Sequence, residues 1–460
     1  MKIRVDEKIK IQDATPAILK WCKEHLILNN PDYYKKEQMG KYTGNIPKTI
    51  NLYERVGSEI WLPFGCLQNI WRLCVRGISW DVKIEPIRAF DYQSNINLYP
   101  YQEKAVNEAI RRKNGILVMP CGSGKTQSGL EIIAKIGGRA LWLTHTQDLL
   151  NQSKSRAESV LSNIGCGTIT SGRVNIGEGI TFATVQTLSK IDLRQYKDYW
   201  DVIIVDECQH CAGSPTKVTQ FYKVMSNLCA RYKIGLTATP HRADGLEASM
   251  FALLGDVIHE VSREEVAHTT CKIKVEQINT GWHPSSDVQM FDGTIDYNKV
   301  IDSLTHDEER FDIIFDTIKE CKGAMIVLAN RVEYLQKMCD AYNQGQFGDA
   351  VCLSGMGASK RAKQERKNAL NALNNGELDA IFATYQLAKE GLDVPHLKYV
   401  VLATPEKDET TVIQSAGRVG RKAEGKECGV VIDFIDDFGI YRGWAKKRIG
   451  FYKKIGAEIF

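Results

Sequence analysis

The chain has 460 residues, of which 43% are hydrophobic and 25% charged, with a formal net charge of +4. That is the composition of a globular protein of two or three domains, each long enough to bury a core. The charge is too mild to mark the whole surface as a polyanion binder, so any basic face must be local. No run approaches the length of about 18 apolar residues that a membrane span needs, and the N-terminus lacks the apolar stretch of a secretory signal. The thirteen cysteines are odd in number and scattered singly, which argues against a disulfide framework and for a reducing, cytoplasmic setting. Cys208 and Cys211 form a lone C-x-x-C without the second pair that a structural zinc site requires.

Residues 1–95 read as a small α+β accessory domain. Ile3, Val5, Ile9 and Ile11 alternate around Asp6-Glu7-Lys8, the pattern of a hairpin. Thr15-Pro16 reads as an N-cap and first helical position, with Ile18, Leu19, Cys22 and Leu26 on one face. Asn29-Asn30-Pro31-Asp32 is expected to end that helix. A further helix follows Pro63-Phe64-Gly65, with Leu67, Ile70, Trp71 and Cys74 turned inward. Between them Tyr33, Tyr34, Lys35, Lys36, Lys41 and Tyr42 cluster. They form either a solvated loop or a surface where aromatics stack on bases and lysines meet phosphates.

From residue 96 the rhythm becomes βα repeated. Apolar runs at 116–119, 140–143, 180–183, 202–205 and 234–236 alternate with helical stretches, so a parallel sheet covered on both faces is expected over 96–270. Residues 271–295 break the rhythm and read as a linker, with an extended segment from Lys272 to Glu276. A second βα series over 296–460 has runs at 325–329, 351–353, 380–383, 399–402 and 429–432. The fold class is therefore α/β, with two tandem parallel-sheet domains after the accessory domain. At the basic C-terminus, Arg442, Lys446, Lys447, Arg448, Lys453 and Lys454 lie among Tyr441, Trp444, Phe451 and Tyr452. That stretch is either an amphipathic helix packing its aromatics inward or a duplex-facing patch.

Three motifs carry chemistry. In Met119-Pro120-Cys121-Gly122-Ser123-Gly124-Lys125-Thr126, a strand, a glycine turn and a helix start follow one another, the context that cradles phosphates. Gly122 and Gly124 let backbone approach the anion, with Ser123 between them, and the helix N-terminus points N–H groups at it. Lys125 would reach the outer phosphates of a nucleotide, and the Thr126 hydroxyl would hold Mg²⁺. The glycine usual at the loop's first position is replaced by Met119. The buried-strand run 202–205 ends in Asp206-Glu207, where Asp206 would hold Mg²⁺ and Glu207 would polarise water as general base. In Gln414-Ser415-Ala416-Gly417-Arg418-Val419-Gly420-Arg421, two arginines three apart would share one side of a helix. Such a pair supplies arginine fingers to a transferring phosphate.

Together these motifs resemble those of superfamily 2 helicases, in the family's order. Leu98-Tyr99-Pro100-Tyr101-Gln102 is similar to the element before the phosphate loop, which implies that Tyr101 and Gln102 flank the base and that Gln102 reads adenine. Residues 119–126 resemble the family's form of the loop, which accounts for Met119. Residues 144–152, with Thr146 and Gln152, and 183–188, with Thr187, resemble its strand-contacting motifs. Asp206-Glu207-Cys208-Gln209 takes the place of D-E-x-H or D-E-x-D, Gln209 still being able to donate and accept. Thr237-Ala238-Thr239-Pro240 looks like the coupling motif. Residues 384–395 and 414–421 complete the second domain, implying a backbone contact from Thr384, nucleotide contacts from Gly391 and Asp393, and catalytic roles for Gln414, Arg418 and Arg421.

Residues 239–245 resemble the XPB-like and phage UvsW-like branch of duplex remodellers, with Arg242 at the nucleic acid and Ala243 replacing an acid of XPB relatives. The resemblance implies a monomeric, ATP- and Mg²⁺-dependent DNA helicase that moves 3′-to-5′ and remodels forked or branched DNA, in the host cytoplasm if phage-encoded. An RNA helicase and the motor subunit of a restriction complex remain open. A catalytically silent nucleic-acid scaffold is opposed by Lys125, Asp206, Glu207, Arg418 and Arg421.

Overall fold

The apolar runs of both series become strands of two sheets in the computed structural model, which describes residues 1–74, 78–170, 172–212, 214–240, 245–267, 270–284, 295–353, 360–389 and 394–460. Two compact units result, Met1–Ser262 and Arg263–Phe460.

In the first unit an eight-stranded sheet runs Arg173–Asn175, Gly167–Thr170, Ile180–Thr184, Ala140–Thr144, Val202–Val205, Tyr232–Thr237, Asn114–Val118, Val257–Glu260. Its pairings are parallel except at the Arg173–Asn175 edge. Ala140–Thr144, Ile180–Thr184 and Val202–Val205 are buried at every position, which is why they read as unbroken apolar runs. The strand ends carrying Val118, Thr144, Thr184, Val205 and Thr237 lie along one edge of the sheet, where ligands of open α/β sheets bind.

Residues 1–95 build a second layer in the same unit. A five-stranded sheet has the order Glu54–Val56, Glu59–Pro63, Lys8–Gln12, Lys2–Val5, Ser79–Val82, with the expected antiparallel hairpin at its heart. Thr15 caps the helix Pro16–His25 through the Ile18 N–H. Asn30, expected to close that helix, instead opens another: its side chain accepts the Asp32 N–H at 3.1 Å and caps Pro31–Gln38. Asn followed by Pro is a helix-start signal, and it wins over the stop reading. Pro31–Gln38 buries none of its residues, and Tyr42 beyond it is 89% exposed. Trp71, expected inward, is 60% exposed. The helix Leu67–Leu73 has only two turns, and Ile70 alone is buried on it.

Ile3, Val5, Ile9, Ile11, Ile18, Leu62 and Phe64 share a core with Ala212, Val218, Leu246 and Ala252 of the helices beside the large sheet. Ion pairs reinforce the seam. Glu7 meets Lys197 at 2.6 Å and Lys10 at 2.6 Å, and Lys10 meets Asp6 at 2.8 Å. Glu54 accepts from Lys8 at 2.9 Å and from the Tyr222 hydroxyl at 2.8 Å.

The second unit holds a seven-stranded parallel sheet in the order Ala350–Cys352, Ala380–Thr384, Met325–Ala329, Tyr399–Leu402, Cys428–Ile435, Lys272–Asn279, Glu458–Ile459. The segment expected to open the linker is thus a sheet strand, paired with Cys428–Ile435 over its full length. Residues 285–294 of that linker lie outside the described residues. The C-terminal helix Gly439–Lys454 buries Tyr441, Ala445, Arg448 and Tyr452, so its aromatic face packs inward. Arg448, counted with the basic surface, is instead buried against Asp433, at 2.7 Å and 3.0 Å. Among the described residues no helix is long and apolar enough to cross a membrane.

Candidate active site

The phosphate-loop sequence leaves the strand Asn114–Val118 and turns into the helix Lys125–Ile136. Met119, at the position where glycine is common, is fully buried and donates its N–H to the Thr237 carbonyl at 2.8 Å, so here the loop's first residue is a core residue. Gly122 and Gly124 both adopt φ of 80°, a left-handed turn that only glycine takes without strain. A Cβ on Gly124 would lie 2.3 Å from Gln102 Nε2. The Ser123 carbonyl accepts from the Tyr101 hydroxyl at 3.1 Å and from Gln102 Nε2 at 2.8 Å, while Gln102 Oε1 accepts the Tyr99 N–H at 2.8 Å. Gln102 therefore braces the loop from below, and reading a base would require its amide to release one of these bonds.

Lys125 and Glu207 meet at 3.5 Å, their side chains 10% and 20% exposed. Glu207 stands just past the strand Val202–Val205 with φ of 47°, a conformation that costs a non-glycine residue about 1–2 kcal/mol and that is typical of strained functional positions. Burial opposes charge on all three groups. Glu207 nonetheless titrates below its ordinary value because Lys125 faces it and Gln209 donates to it, and Lys125 rises because Glu207 faces it. Asp206 goes the other way: burial, then the neighbouring Glu207 charge, push it up to about 7. Among the described residues its carboxylate accepts the Glu207 N–H at 3.1 Å and the Ser153 hydroxyl at 3.4 Å. A buried, under-neutralised carboxylate beside a phosphate cradle fits a divalent cation, and Thr126, second residue of the helix Lys125–Ile136, offers a hydroxyl. Asp206 and Thr126 are the residues that would hold Mg²⁺, which when bound would neutralise phosphate charge.

Gln209, standing where a histidine or acid is commoner, keeps a link to Thr237 that this replacement puts in question. Its Nε2 donates to Glu207 Oε2 at 2.8 Å, and its Oε1 accepts the Thr237 hydroxyl at 2.6 Å. Thr237 Oγ1 in turn accepts the Thr239 N–H at 3.0 Å. One amide thus joins the acid pair to the motif at the end of the next strand. Ser153, beneath Asp206, was not legible, because nothing in the sequence marks a helix serine 53 residues away as its partner.

Thr146 caps the helix Gln147–Val160 through the Leu149 N–H, and Gln152 lies exposed on that helix. Thr187 sits 2.9 Å from Thr184, oxygen to oxygen, in the turn after Ile180–Thr184. Thr146 and Thr187 therefore follow the ends of adjacent strands, on the same sheet edge as Asp206. In the second unit Thr384 ends the strand Ala380–Thr384 and accepts the Leu387 N–H at 3.4 Å. Gln414 and Arg418 are half-buried on the helix Glu409–Val419. Arg421 lies beyond that helix, in a bridge with Thr270. The shared helix face expected for the two arginines is thus not seen, because the helix ends at Val419 with Gly420 as its cap. Arg242, Gly391 and Asp393 lie outside the described residues.

Comparison with known proteins fits this arrangement. The profile of the type III restriction enzyme res subunit matches residues 95–242, and that of the helicase conserved C-terminal domain matches 309–423. A protein of Acanthamoeba polyphaga mimivirus, named for an inferred ATP-dependent RNA helicase activity, is 25% identical over 80% of this chain and 70% of its own. The DNA 3'-5' translocase XPB2 of Sulfurisphaera tokodaii is 24% identical over 72% of this chain and 80% of its own. Among solved structures, S. cerevisiae Dbp5 bound to RNA and ADP BeF3 superposes with a TM-score of 0.57 at 16% identity, over 79% of this chain and 90% of that one, a likeness of fold. The two sheets are RecA-like domains, and the chain is an ATP-dependent helicase of superfamily 2. Within that superfamily it is related to the XPB helicases.

Proposed function

We propose that this helicase tracks 3′-to-5′ along one DNA strand and remodels forked or branched duplexes, as a monomer using ATP with Mg²⁺. In this reading Lys125 and the 122–126 loop hold the phosphates, Thr126 and Asp206 hold the metal, and Glu207 activates water. Gln414, Arg418 and Arg421 are the residues that would neutralise the charge of the transition state. Gly391 and Asp393 belong to the nucleotide's surroundings. Thr146, Gln152, Thr187, Arg242 and Thr384 contact the tracked strand, threonine hydroxyls gripping phosphates without reading bases.

The observation that carries the motor reading is the chain from Glu207 through Gln209 to Thr237, since it joins the hydrolytic acid to the next strand end by hydrogen bonds alone. The branched-DNA reading is supported by the helix Pro31–Gln38, which buries none of its residues and carries exposed Lys35 and Lys36 beside half-buried Tyr33 and Tyr34, in a region whose other elements share a core with the first motor domain. Residues 1–95 would there engage duplex or the branch point. ATP hydrolysis measured with forked DNA, plain single strand and RNA tests it. Stronger stimulation by the fork is expected, and equal stimulation by RNA refutes the DNA assignment. An RNA substrate is the second reading, favoured by the name of the mimivirus relative. The res-subunit match leaves room for a restriction motor whose nuclease sits on a partner chain.

A further inference from the structure

Residues 403–406, between the strand Tyr399–Leu402 and the helix Glu409–Val419, are held in an unusual way. Four successive carbonyls each accept from a side chain of a different segment. Ala403 O accepts from Arg310 Nη2 at 2.8 Å, Thr404 O from the Tyr385 hydroxyl at 2.6 Å, Pro405 O from Asn330 Nδ2 at 3.4 Å, and Glu406 O from Arg448 Nη1 at 3.1 Å. The Thr404 hydroxyl also accepts the Asn330 N–H at 3.0 Å. Both guanidiniums are themselves clamped. Arg310 lies on Asp436 at 2.6 Å and 3.1 Å, and Arg448 on Asp433 at 3.0 Å and 2.7 Å, with all four side chains buried.

Connections normally satisfy their carbonyls with water or neighbouring backbone. Two buried ion pairs are a poor route to stability, since well-packed apolar residues often do as well. Aimed at one short loop, they instead fix its position. What the loop joins gives that position a use. Downstream, Asp408 caps the helix bearing Gln414 and Arg418 through the Thr411 N–H at 2.8 Å. Upstream, Tyr385 directly follows Thr384, the residue assigned to the tracked strand.

We infer that residues 403–406 are a joint linking the nucleic-acid contact at Thr384 to the arginine-bearing helix, with Tyr385 and Thr404 as positioning residues. This rests on the reading of Arg418 as a finger. The Tyr385 hydroxyl is the direct bond between the two segments, and the Asn330 and Arg310 bonds keep the loop from giving way when Thr384 is loaded.

The test is steady-state ATP hydrolysis by the full chain, with and without forked DNA, for Tyr385→Phe, Thr404→Val, Thr404→Ser and Arg418→Ala, with melting temperatures alongside. Tyr385→Phe and Thr404→Val are expected to lower the DNA-stimulated kcat by about three- to tenfold, the range of one lost hydrogen bond. Basal rate and the KM for ATP should stay within about twofold of the parent protein. Thr404→Ser, which keeps the acceptor, should retain stimulation. Unchanged stimulation in Tyr385→Phe and Thr404→Val, with Arg418→Ala inactive, overturns the joint alone. Basal and stimulated rates falling together with the melting temperature reduce it to a structural role and likewise overturn it. An active Arg418→Ala overturns the finger reading and leaves the joint nothing to position.

Discussion

Replacing Gln209 by alanine probes the centre of the site with one truncation. Gln209 is 1% exposed and bridges Glu207 Oε2 at 2.8 Å and the Thr237 hydroxyl at 2.6 Å. Its loss removes a bond to a carboxylate, worth about 1.5–3 kcal/mol, and leaves the buried Thr237 donor unmet at a further cost of about 1–3 kcal/mol. Thr237 is fully buried and Glu207 only 20% exposed, so water offsets little of this, and a stability loss of about 3 kcal/mol is expected. The catalytic effect is separate. Without Gln209, Glu207 keeps Lys125 at 3.5 Å as its polar neighbour and turns toward it. Misplacing a catalytic group by about 1 Å can cost about a hundredfold, so kcat for nucleic-acid-stimulated hydrolysis should fall by about ten- to a hundredfold. The KM for ATP should move by less than about threefold, since the loop at 122–126 has no bond to Gln209. Gln209→His, with one donor and one acceptor nitrogen, should recover most of the rate. The assay is coupled ATP hydrolysis over a range of ATP concentrations, with a thermal melt of each variant. A Gln209→Ala protein that melts lower yet keeps kcat within twofold would refute the bridge as part of the catalytic apparatus.

Gly124→Ala puts a Cβ 2.3 Å from a Gln102 amide that is pinned at both ends, in a left-handed turn that costs alanine about 1–2 kcal/mol. Binding of a fluorescent ATP analogue, followed by anisotropy, should weaken at least tenfold. Glu7 is pushed up by burial but held down more strongly by Lys10 and Lys197, to about 2 from an ordinary 4.5. Its folded value lies below the unfolded one, so its contribution is full above about pH 5, fades as pH falls toward 2, and amounts to no more than about 3 kcal/mol. The melting-temperature gap between the parent and Glu7→Gln should be widest near pH 7 and closed near pH 2. An undiminished gap at low pH refutes the electrostatic account of that seam. Replacing Lys35, Lys36 and Lys41 by alanine should lower the salt slope of DNA binding by about one for each phosphate that is no longer neutralised, with kcat at saturating DNA unchanged, as titrations at several salt concentrations would show.

Much of the architecture was readable because parallel strands covered on both faces must be apolar at every position, as 202–205 and 325–329 are. The strand, glycine turn and helix at 114–136 were readable for a different reason: the arrangement is local, and three short elements carry it. What escaped depends on pairings that sequence spacing does not encode. Lys272–Asn279 alternates charge with Ile273, Val275 and Ile278 and reads like an exposed extension. Yet it pairs fully with Cys428–Ile435 on one side and only with the short Glu458–Ile459 on the other, a place near a sheet margin where polar positions persist. Arg448 looked like one more surface cation. Its spacing from Tyr441, Ala445 and Tyr452 places it on the buried face of its helix, and helical periodicity could have shown this had charge not been weighed first. Gln209 meets Thr237 across 28 residues, through the pairing of adjacent strands, Val202–Val205 with Tyr232–Thr237.

The fusion of residues 1–95 with the first motor sheet bears on how the helicase would use them. A domain on a flexible tether raises local concentration but sets no angle. A layer sharing a core and ion pairs with the motor sheet moves with the phosphate loop, and the helix Pro31–Gln38 is expected to be carried with it at one angle. Removing residues 1–95 is then expected not to liberate a minimal motor. It would strip Ile3, Val5, Leu62 and Phe64 from Val218, Leu246 and Ala252, exposing a contiguous apolar surface of the kind that drives association. Light scattering of the truncated protein should show association, and its melting temperature should fall. Point changes on the exposed helix alone, such as Tyr33→Ala with Lys36→Ala, should leave both unaltered while reducing fork binding. A truncated chain that stays monomeric, melts like the parent and hydrolyses ATP at the parent rate would show that the layer is an independent module, and the fixed-angle account would fall with it.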